Sequence, residues 1–310
     1  MARKLRVEYP GAIYHVLNRG DRGEPIFRTG QDREMFLGAL AETCGKTGWQ
    51  VHAFCLMPNH FHLVVETPGA NLVSGMKWFL GAYTSRFNRR HRLLGHLFSG
   101  RYKALFVEGS GTGYLKTVCD YVHLNPARAR LLAREDKLSR YGWSSYPAYL
   151  RPARQRPGWL RTDRLLGEHG LSGDTPAARR EFAARMEARR LADLAQEWKA
   201  VRRGWCLGGR EFRQGLLEEM GGRTGPNHGG EERRESDEAW AERLVAEELQ
   251  GRRWTAAELA RRRKGDAQKL KIARRLRQET TMTLAWIAKK LNMGAAGSLA
   301  NLLRQARAKQ

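Results

Sequence analysis

Apolar positions change period along the chain, and each change predicts an element. Ala12-Ile13-Tyr14-His15-Val16-Leu17-Asn18 is a β-rich run that closes on Asn18-Arg19-Gly20. Residues 31–47 carry Met35, Phe36, Leu40 and Cys44 at helical spacing, with Gly45 and Gly48 expected to stop the helix. Trp49 to Leu56 and Phe61 to Glu66 return to extended patterning on either side of Met57-Pro58-Asn59, a hairpin-type turn. A second helix over 71–90 places Leu72, Met76, Phe79, Leu80, Tyr83 and Phe87 on one stripe. Another extended run, Leu97 to Val107, leads through Gly109-Ser110-Gly111-Thr112-Gly113 into a helix from about Tyr114 to Leu124. Strand, helix, strand, strand, helix, strand, helix is the order of an α+β domain. It predicts a ferredoxin-like antiparallel sheet with helices on one face.

From about residue 151 the texture changes. Arg151-Pro152-Ala153-Arg154-Gln155-Arg156-Pro157-Gly158 reads as a basic linker, 175–199 as one long helix, and 221–230 as a glycine-rich connector. Residues 236–310 are helical throughout in pattern. Within them, helices at 268–278 and 283–291, a turn at Asn292-Met293-Gly294 and a third helix from Gly297 predict a helix-turn-helix over about 268–308. Three regions follow: a domain at 1–150, a basic helical extension with linkers at 151–235, and an all-α C-terminal region at 236–310.

Composition narrows the partner. The 310 residues hold 56 Lys+Arg against 32 Asp+Glu, a formal net charge of +24. Aromatic residues (9 Trp, 9 Tyr, 10 Phe) and 41% apolar content supply a real core, which excludes a disordered basic tail. No apolar run reaches the roughly 18 residues of a membrane span, and the basic N-terminus is followed by no apolar signal region. Cys44, Cys55, Cys119 and Cys206 are scattered, so buried free thiols are expected rather than zinc or disulfides. What remains is a cytoplasmic protein with a polyanionic partner, most simply nucleic acid. The excess divides as 21 basic against 11 acidic residues in 1–150 and 35 against 21 beyond, which predicts two separate contacts.

Candidate chemistry gathers at two motifs. In His60-Phe61-His62 strand alternation sends both imidazoles to one side, where they can share a divalent metal, and Phe61 to the other. Tyr121 and Asn125 lie four apart on a helix that Pro126 is expected to end, so they share a face. His123 points roughly 200° away from Tyr121 and reads as structural or as a DNA-side contact. His15 and Asn18 read equally as channel lining or as sheet packing and a turn cap. Arg86, Arg89, Arg90 and Arg92, with Arg101, Tyr102 and Lys103, interleave cations and an aromatic ring, as single-strand binders do; the plain alternative is a solvated helix end. Ser298, Asn301 and Arg304 would face a DNA groove, unless the helical hairpin serves protein contact.

Three motifs carry a family resemblance. Tyr9-Pro10-Gly11-Ala12-Ile13-Tyr14-His15-Val16 with Asn18-Arg19-Gly20, Met57-Pro58-Asn59-His60-Phe61-His62-Leu63, and Tyr121-Val122-His123-Leu124-Asn125-Pro126-Ala127-Arg128-Ala129 resemble, in that order, the signatures of the REP-associated tyrosine transposases. These are kin of the single-tyrosine insertion-sequence transposases of bacteria, and the resemblance covers about residues 1–150. It implies a His-hydrophobic-His nuclease that cuts and rejoins single-stranded DNA beside a REP-like hairpin. His60 and His62 would be metal ligands, Asn125 the third polar group at the metal, Tyr121 the nucleophile that forms a 5′-phosphotyrosine, and Arg128 a DNA contact. The resemblance further implies Mg²⁺ or Mn²⁺, no small-molecule cofactor and no membrane, a nucleoid-associated location, and a monomer or homodimer. A phenol titrates at about pH 10 and is a poor nucleophile unaided; a metal on the scissile phosphate would supply the help. Two other readings share these residues: a domesticated, non-catalytic DNA-binding regulator, and a relaxase-like or replication-initiator-like nickase. Against the last stands the Asn-Pro-Ala-Arg tail after Tyr121.

Overall fold

The computed structural model describes residues 7–109, 111–192, 198, 201, 205–221 and 231–308. Residues 222–230 of the expected connector, and most of 193–199 in the expected long helix, lie outside the described residues. Strand β1 (Ala12–Arg19) is followed by α1 (Gly30–Thr47), β2 (Gln50–Met57), β3 (His60–Thr67), α2 (Leu72–His91), β4 (Lys103–Val107) and α3 (Tyr114–Arg128). Thr29 opens α1 with a capping box: its hydroxyl accepts from the Asp32 N–H while the Asp32 carboxylate accepts from the Thr29 N–H at 2.8 Å. Gly48, at φ 71°, ends that helix in the left-handed region, whereas Gly45 stays inside it.

The sheet runs β2-β3-β1-β4, antiparallel throughout, with the two-residue β5 (Cys206–Leu207) added parallel to β4. The α+β, ferredoxin-like class is as expected, and three details differ. The run 97–107 is strand only from Lys103, because Gly100 at φ 74° bends the chain after an isolated bridge from Phe98 to Gly20. Helix α3 continues through Pro126 to Arg128. A proline so near the end removes one helical bond, and the carbonyls of Asn125 and Pro126 still accept from Ala129 and Leu131, both at 2.9 Å. Helices also cover both faces of the sheet rather than one. Phe61 packs on Phe36 of α1 and Phe79 of α2, with ring centroids 5.0 and 6.2 Å apart, while His62, on the opposite face, meets Tyr121 of α3 at 5.7 Å. Strand β3 is apolar from Leu63 to Val65, so each face demands a cover.

The core that starts at Val7 does not stop near 150. It takes in α4 (Tyr146–Tyr149), α5 (Asp163–Glu168), α6 (Pro176–Leu191), β5 and α7 (Arg210–Gly221), through Tyr146, Tyr149, Leu165, Phe182, Met186 and Leu216. The break expected at 151–158 therefore falls inside one packed unit. Its Arg156 donates to the carbonyls of Ala148, Tyr149 and Arg151 at 2.9, 3.3 and 2.6 Å, and pairs with Asp174 at 2.8 Å. Leu160 bridges to Val51 at the sheet. The basic residues there are a clasp, not a tether.

A second core joins α8 (Glu231–Gly251), α9 (Ala256–Arg261), α10 (Ala267–Glu279), α11 (Leu284–Lys290) and α12 (Ala296–Ala308) around Leu244, Ile272, Leu276, Ile287, Met293 and Leu299. Thr255, Asp266 and Thr283 cap α9, α10 and α11 with side-chain oxygens. Where the two cores meet, Lys46 of α1 donates to the Gln278 carbonyl at the end of α10, at 2.8 Å. All four cysteines are free and buried. Among the described residues no helix is long and apolar enough to cross a membrane.

Candidate active site

The β2–β3 hairpin turns on Pro58-Asn59, which sets His60 as the first residue of β3, opposite Arg19 of β1 and Met57 of β2. Asn59 fixes this corner. Its amide nitrogen donates to the Gly23 carbonyl at 3.0 Å, so its amide oxygen is left to face the His60 Nδ1 at 2.8 Å. An amide oxygen only accepts; Nδ1 therefore carries the proton and Nε2 keeps its lone pair. His60 is half-buried, and burial, with the Arg19 cation beside it, holds its pKa below the ordinary value.

His62 follows two residues on, its ring centroid 5.1 Å from that of His60. Its Nδ1 lies 2.9 Å from the Nε2 of His15 on β1. If that Nδ1 donates, the His62 Nε2 is the free ligand nitrogen, as at His60. Burial, then the neighbouring His15, His60 and Arg128, keep His62 far below its ordinary pKa, and burial takes His15 to about 4. All three imidazoles are thus neutral at neutral pH, the state that donates to a metal.

Helix α3 brings the phenol. Tyr121 stands edge-on to His62 and His15, at 5.7 and 5.8 Å between centroids. Its outer side is covered by Trp198 at 5.7 Å and by the Arg128 guanidinium, 4.6 Å from the ring centroid. Only 7% of Tyr121 remains exposed. Asn125, one turn on, is also buried, and its amide nitrogen has no hydrogen-bond partner. Among the described residues nothing locks that amide, so its oxygen can turn to a cation. Two neutral imidazoles and an amide oxygen are a donor set that fits one divalent ion with positions left for phosphate oxygens. Among the described residues no group of three or more His, Cys, Asp or Glu is placed to hold a metal ion, His15, His60 and His62 included.

The back of α3 is as firmly held as its front. Asp120, fully buried, accepts from His169 Nε2 and pairs with Arg189 Nε, both at 2.9 Å. His123 bonds the Ser145 hydroxyl at 2.7 Å among Tyr146, Tyr149 and Phe182, which makes it structural rather than a DNA-side group. Asn18 accepts from the Arg19 N–H at 2.9 Å and donates to the Gly100 carbonyl, so it caps a turn.

The other expected DNA contacts divide. Arg86 is paired with Glu42 at 2.8 Å, and Arg90 with the buried Asp32 at 3.3 Å. Arg89, Arg92, Arg101, Lys103 and Arg128 are exposed. Tyr102 is buried in the core at 7% exposure and offers no face to a base: strand alternation turns it inward while its neighbours on both sides point to water. Helix α2 also lies on the Phe61 face, so its basic end and the Tyr121 cluster belong to opposite sides of the sheet. Ser298, Asn301 and Arg304 all lie exposed along α12, with Arg304 donating to Asn301 at 3.3 Å. The pairing of His15 with His62, the lock on Asn59, and the cover over Tyr121 were not singled out in the sequence. Asn59 adjoins a motif and could have been found there; Trp198 carries no local signal.

Residues 9–125 match the family described as Transposase IS200 like. No curated protein matches the chain significantly. Among solved structures, one of a REP-associated tyrosine transposase bound to a REP hairpin is similar at 15% identity, covering 52% of this chain and 92% of that one, with a TM-score of 0.41. The family match bears out the resemblance read from the three motifs, and its span includes His60, His62, Tyr121 and Asn125.

Proposed function

We propose, from the IS200-like transposase segment at residues 9–125, that the chain is a metal-dependent single-stranded DNA endonuclease and strand transferase acting beside hairpin, REP-like DNA. The observation that carries this reading is the meeting of His62 with Tyr121 at 5.7 Å, on the one sheet face that also holds His15 and His60. His60, His62 and Asn125 hold Mg²⁺ or Mn²⁺. The ion, when bound, draws charge from the non-bridging oxygens of the scissile phosphate.

The remaining steps belong to the chain's own residues. Tyr121 loses its phenolic proton and attacks phosphorus; the bond to the 3′ oxygen breaks, and that oxygen leaves as a 3′-hydroxyl after taking up a proton. The 5′ end stays on Tyr121 as a phosphotyrosine. Because one phosphodiester-type ester replaces another, a second 3′-hydroxyl can reverse the step and join a new end without ATP. Arg128, over the ring, offsets charge that develops on the phenolic oxygen and the phosphate. Arg89 and Arg92 hold DNA at the end of α2, on the side of the sheet away from Tyr121, Arg101 and Lys103 hold it at the start of β4, and Ser298, Asn301 and Arg304 present α12 to a duplex groove as a helix-turn-helix. A nucleoid-associated place in the cytoplasm follows from that partner.

The deciding experiment incubates the protein with a labelled single-stranded oligonucleotide carrying a hairpin, with Mg²⁺ or Mn²⁺, and looks for a covalent adduct on a denaturing gel. Wild type forms one; Tyr121→Phe forms none while binding the DNA equally. An adduct in Tyr121→Phe overturns the assignment. One observation favours a second reading, the non-catalytic regulator: the phenol is covered by Trp198. Tight binding by wild type with no adduct under any metal would support it.

A further inference from the structure

Beside the covered phenol opens a cavity of about 360 Å³, between the end of α3, the turn after it and the end of α6. Five guanidinium groups line it: Arg128, Arg130, Arg134, Arg189 and Arg190. Small and aliphatic side chains and Trp198 complete the wall, and among the described residues no carboxylate does. Such a concentration of like charge costs the folded state its mutual repulsion unless an anion occupies it.

The cavity is built rather than incidental. Arg189 is tied through Nε to Asp120, which is fully buried and held in turn by His169. Arg190 is tied through Nε to Glu187 at 2.6 Å and donates to the Arg134 carbonyl at 3.0 Å, which fixes the turn. Arg128, Arg130 and Arg134 are exposed and have no ion-pair partner among the described residues. Two anchored cations at the back and three unpaired ones at the mouth make a receptor for a multiply charged, extended anion. A planar fork of donors suits phosphate oxygens better than a point charge would.

Its position names the anion. The Arg128 guanidinium carbon lies 4.6 Å from the Tyr121 ring centroid and 6.0 Å from that of Trp198, which Arg189 covers at 5.5 Å. A continuous cationic track therefore leads from the phenol into the cavity. Trp198 is buried at 3% exposure, so the wall has no open aromatic face on which a base could stack. The site is one for backbone, not for base readout.

We infer that this cavity holds the phosphodiester backbone of the single strand next to the linkage that Tyr121 attacks, through Arg130 and Arg134 with Arg128 shared between the two. The inference rests on the cleavage reading above. It adds a sequence-independent grip from the end of α3 and the turn after it, backed by the anchored Arg189 and Arg190 of α6, all beyond the family-matched residues 9–125.

The test compares wild type with Arg130→Ala/Arg134→Ala, both surface changes whose folding is checked by circular dichroism. Affinity for a hairpin-bearing single strand is measured against salt, and uncharged methylphosphonate linkages are then placed one at a time around the cleavage point. The log–log salt slope should fall by about 0.7 for each phosphate that the variant no longer neutralises. One or two neutral linkages adjoining the cleavage point should weaken wild type and leave the double variant unmoved. Adduct formation with an unchanged slope, or with equal sensitivity to those linkages in both proteins, overturns the cavity alone. No adduct in wild type together with the expected slope change overturns the cleavage reading and supports the cavity as a strand site.

Discussion

The two faces of one strand, β3, have been put to opposite uses. Toward α1 and α2, Phe61 enters a cluster with Phe36, Phe79 and Tyr83, rings 4.7 to 6.2 Å apart, where the packing is aromatic and the Tyr83 hydroxyl is satisfied by the Ile26 carbonyl. Toward α3, the residues on either side of it in sequence meet His15, Tyr121 and each other. The first face lowers the free energy of the fold. The second buries imidazoles and an amide whose hydrogen-bonding capacity is only partly met: the Nδ1 of His15 and the amide nitrogen of Asn125 have no partner among the described residues. Unmet buried capacity costs stability, and a protein that tolerates it on one face needs the surplus of the other.

Adjacent substitutions should separate the faces most sharply. Phe61→Ala should cost about 3–5 kcal/mol by urea denaturation. His62→Gln should cost less, about 1–3 kcal/mol, because it takes from the buried His15 its hydrogen-bond partner, yet weaken Mn²⁺ binding by more than about 100-fold, since a ligand counts for more than its supporting group. Comparable stability losses at both positions would erase the distinction. A smaller effect is expected from Asn59→Ala, which leaves both ligands in place but frees the His60 tautomer. Isothermal titration with Mn²⁺ should show affinity lower by about 10–100-fold, and unchanged affinity would mean that the Asn59 contact does not orient the ring.

The smallest effect is a slope. His15, His62 and His123 are buried with pKa values below the ordinary one; those of His15 and His123 are about 4 and about 3. The unfolded chain binds protons there that the folded chain refuses, so stability is fully present above about pH 6.5 and declines as pH falls toward the folded values, by up to about 1.4 kcal/mol per pH unit for each imidazole. Urea midpoints at pH 7.5, 6 and 5 should show the decline, and His15→Gln should make it shallower. An equally steep slope in His15→Gln would place the titrating groups elsewhere.

Much of this was legible in the motifs alone. The hairpin, the two helices on its Phe61 face and the pairing of His60 with His62 follow from short-range alternation and spacing, which local sequence controls. Tyr102 shows where that control ends: a basic and aromatic run is the same string whether its ring points to water or to the core, and only the bend at Gly100 and the pairing of β4 decide. The cover on both sheet faces was written in the unbroken apolar run Leu63-Val64-Val65, more plainly than the element order allowed. The segment 151–158 misled because Arg and Pro mark linkers in general, whereas Arg156 turns its donors to carbonyls of the same fold. Trp198 over Tyr121 joins residues 77 apart in the chain, and no periodicity carries that far.

Helix α3 has one further consequence. It is enclosed by the sheet in front and by Asp120, His123 and their partners behind, so its phenol and the imidazoles facing it come from one and the same chain. A site assembled across two copies would need that helix to leave its bed and take a buried carboxylate with it. On the cleavage reading, a copy lacking the phenol and a copy lacking His62 should therefore fail to restore adduct formation to each other when mixed, and restoration would show that α3 can be exchanged between copies.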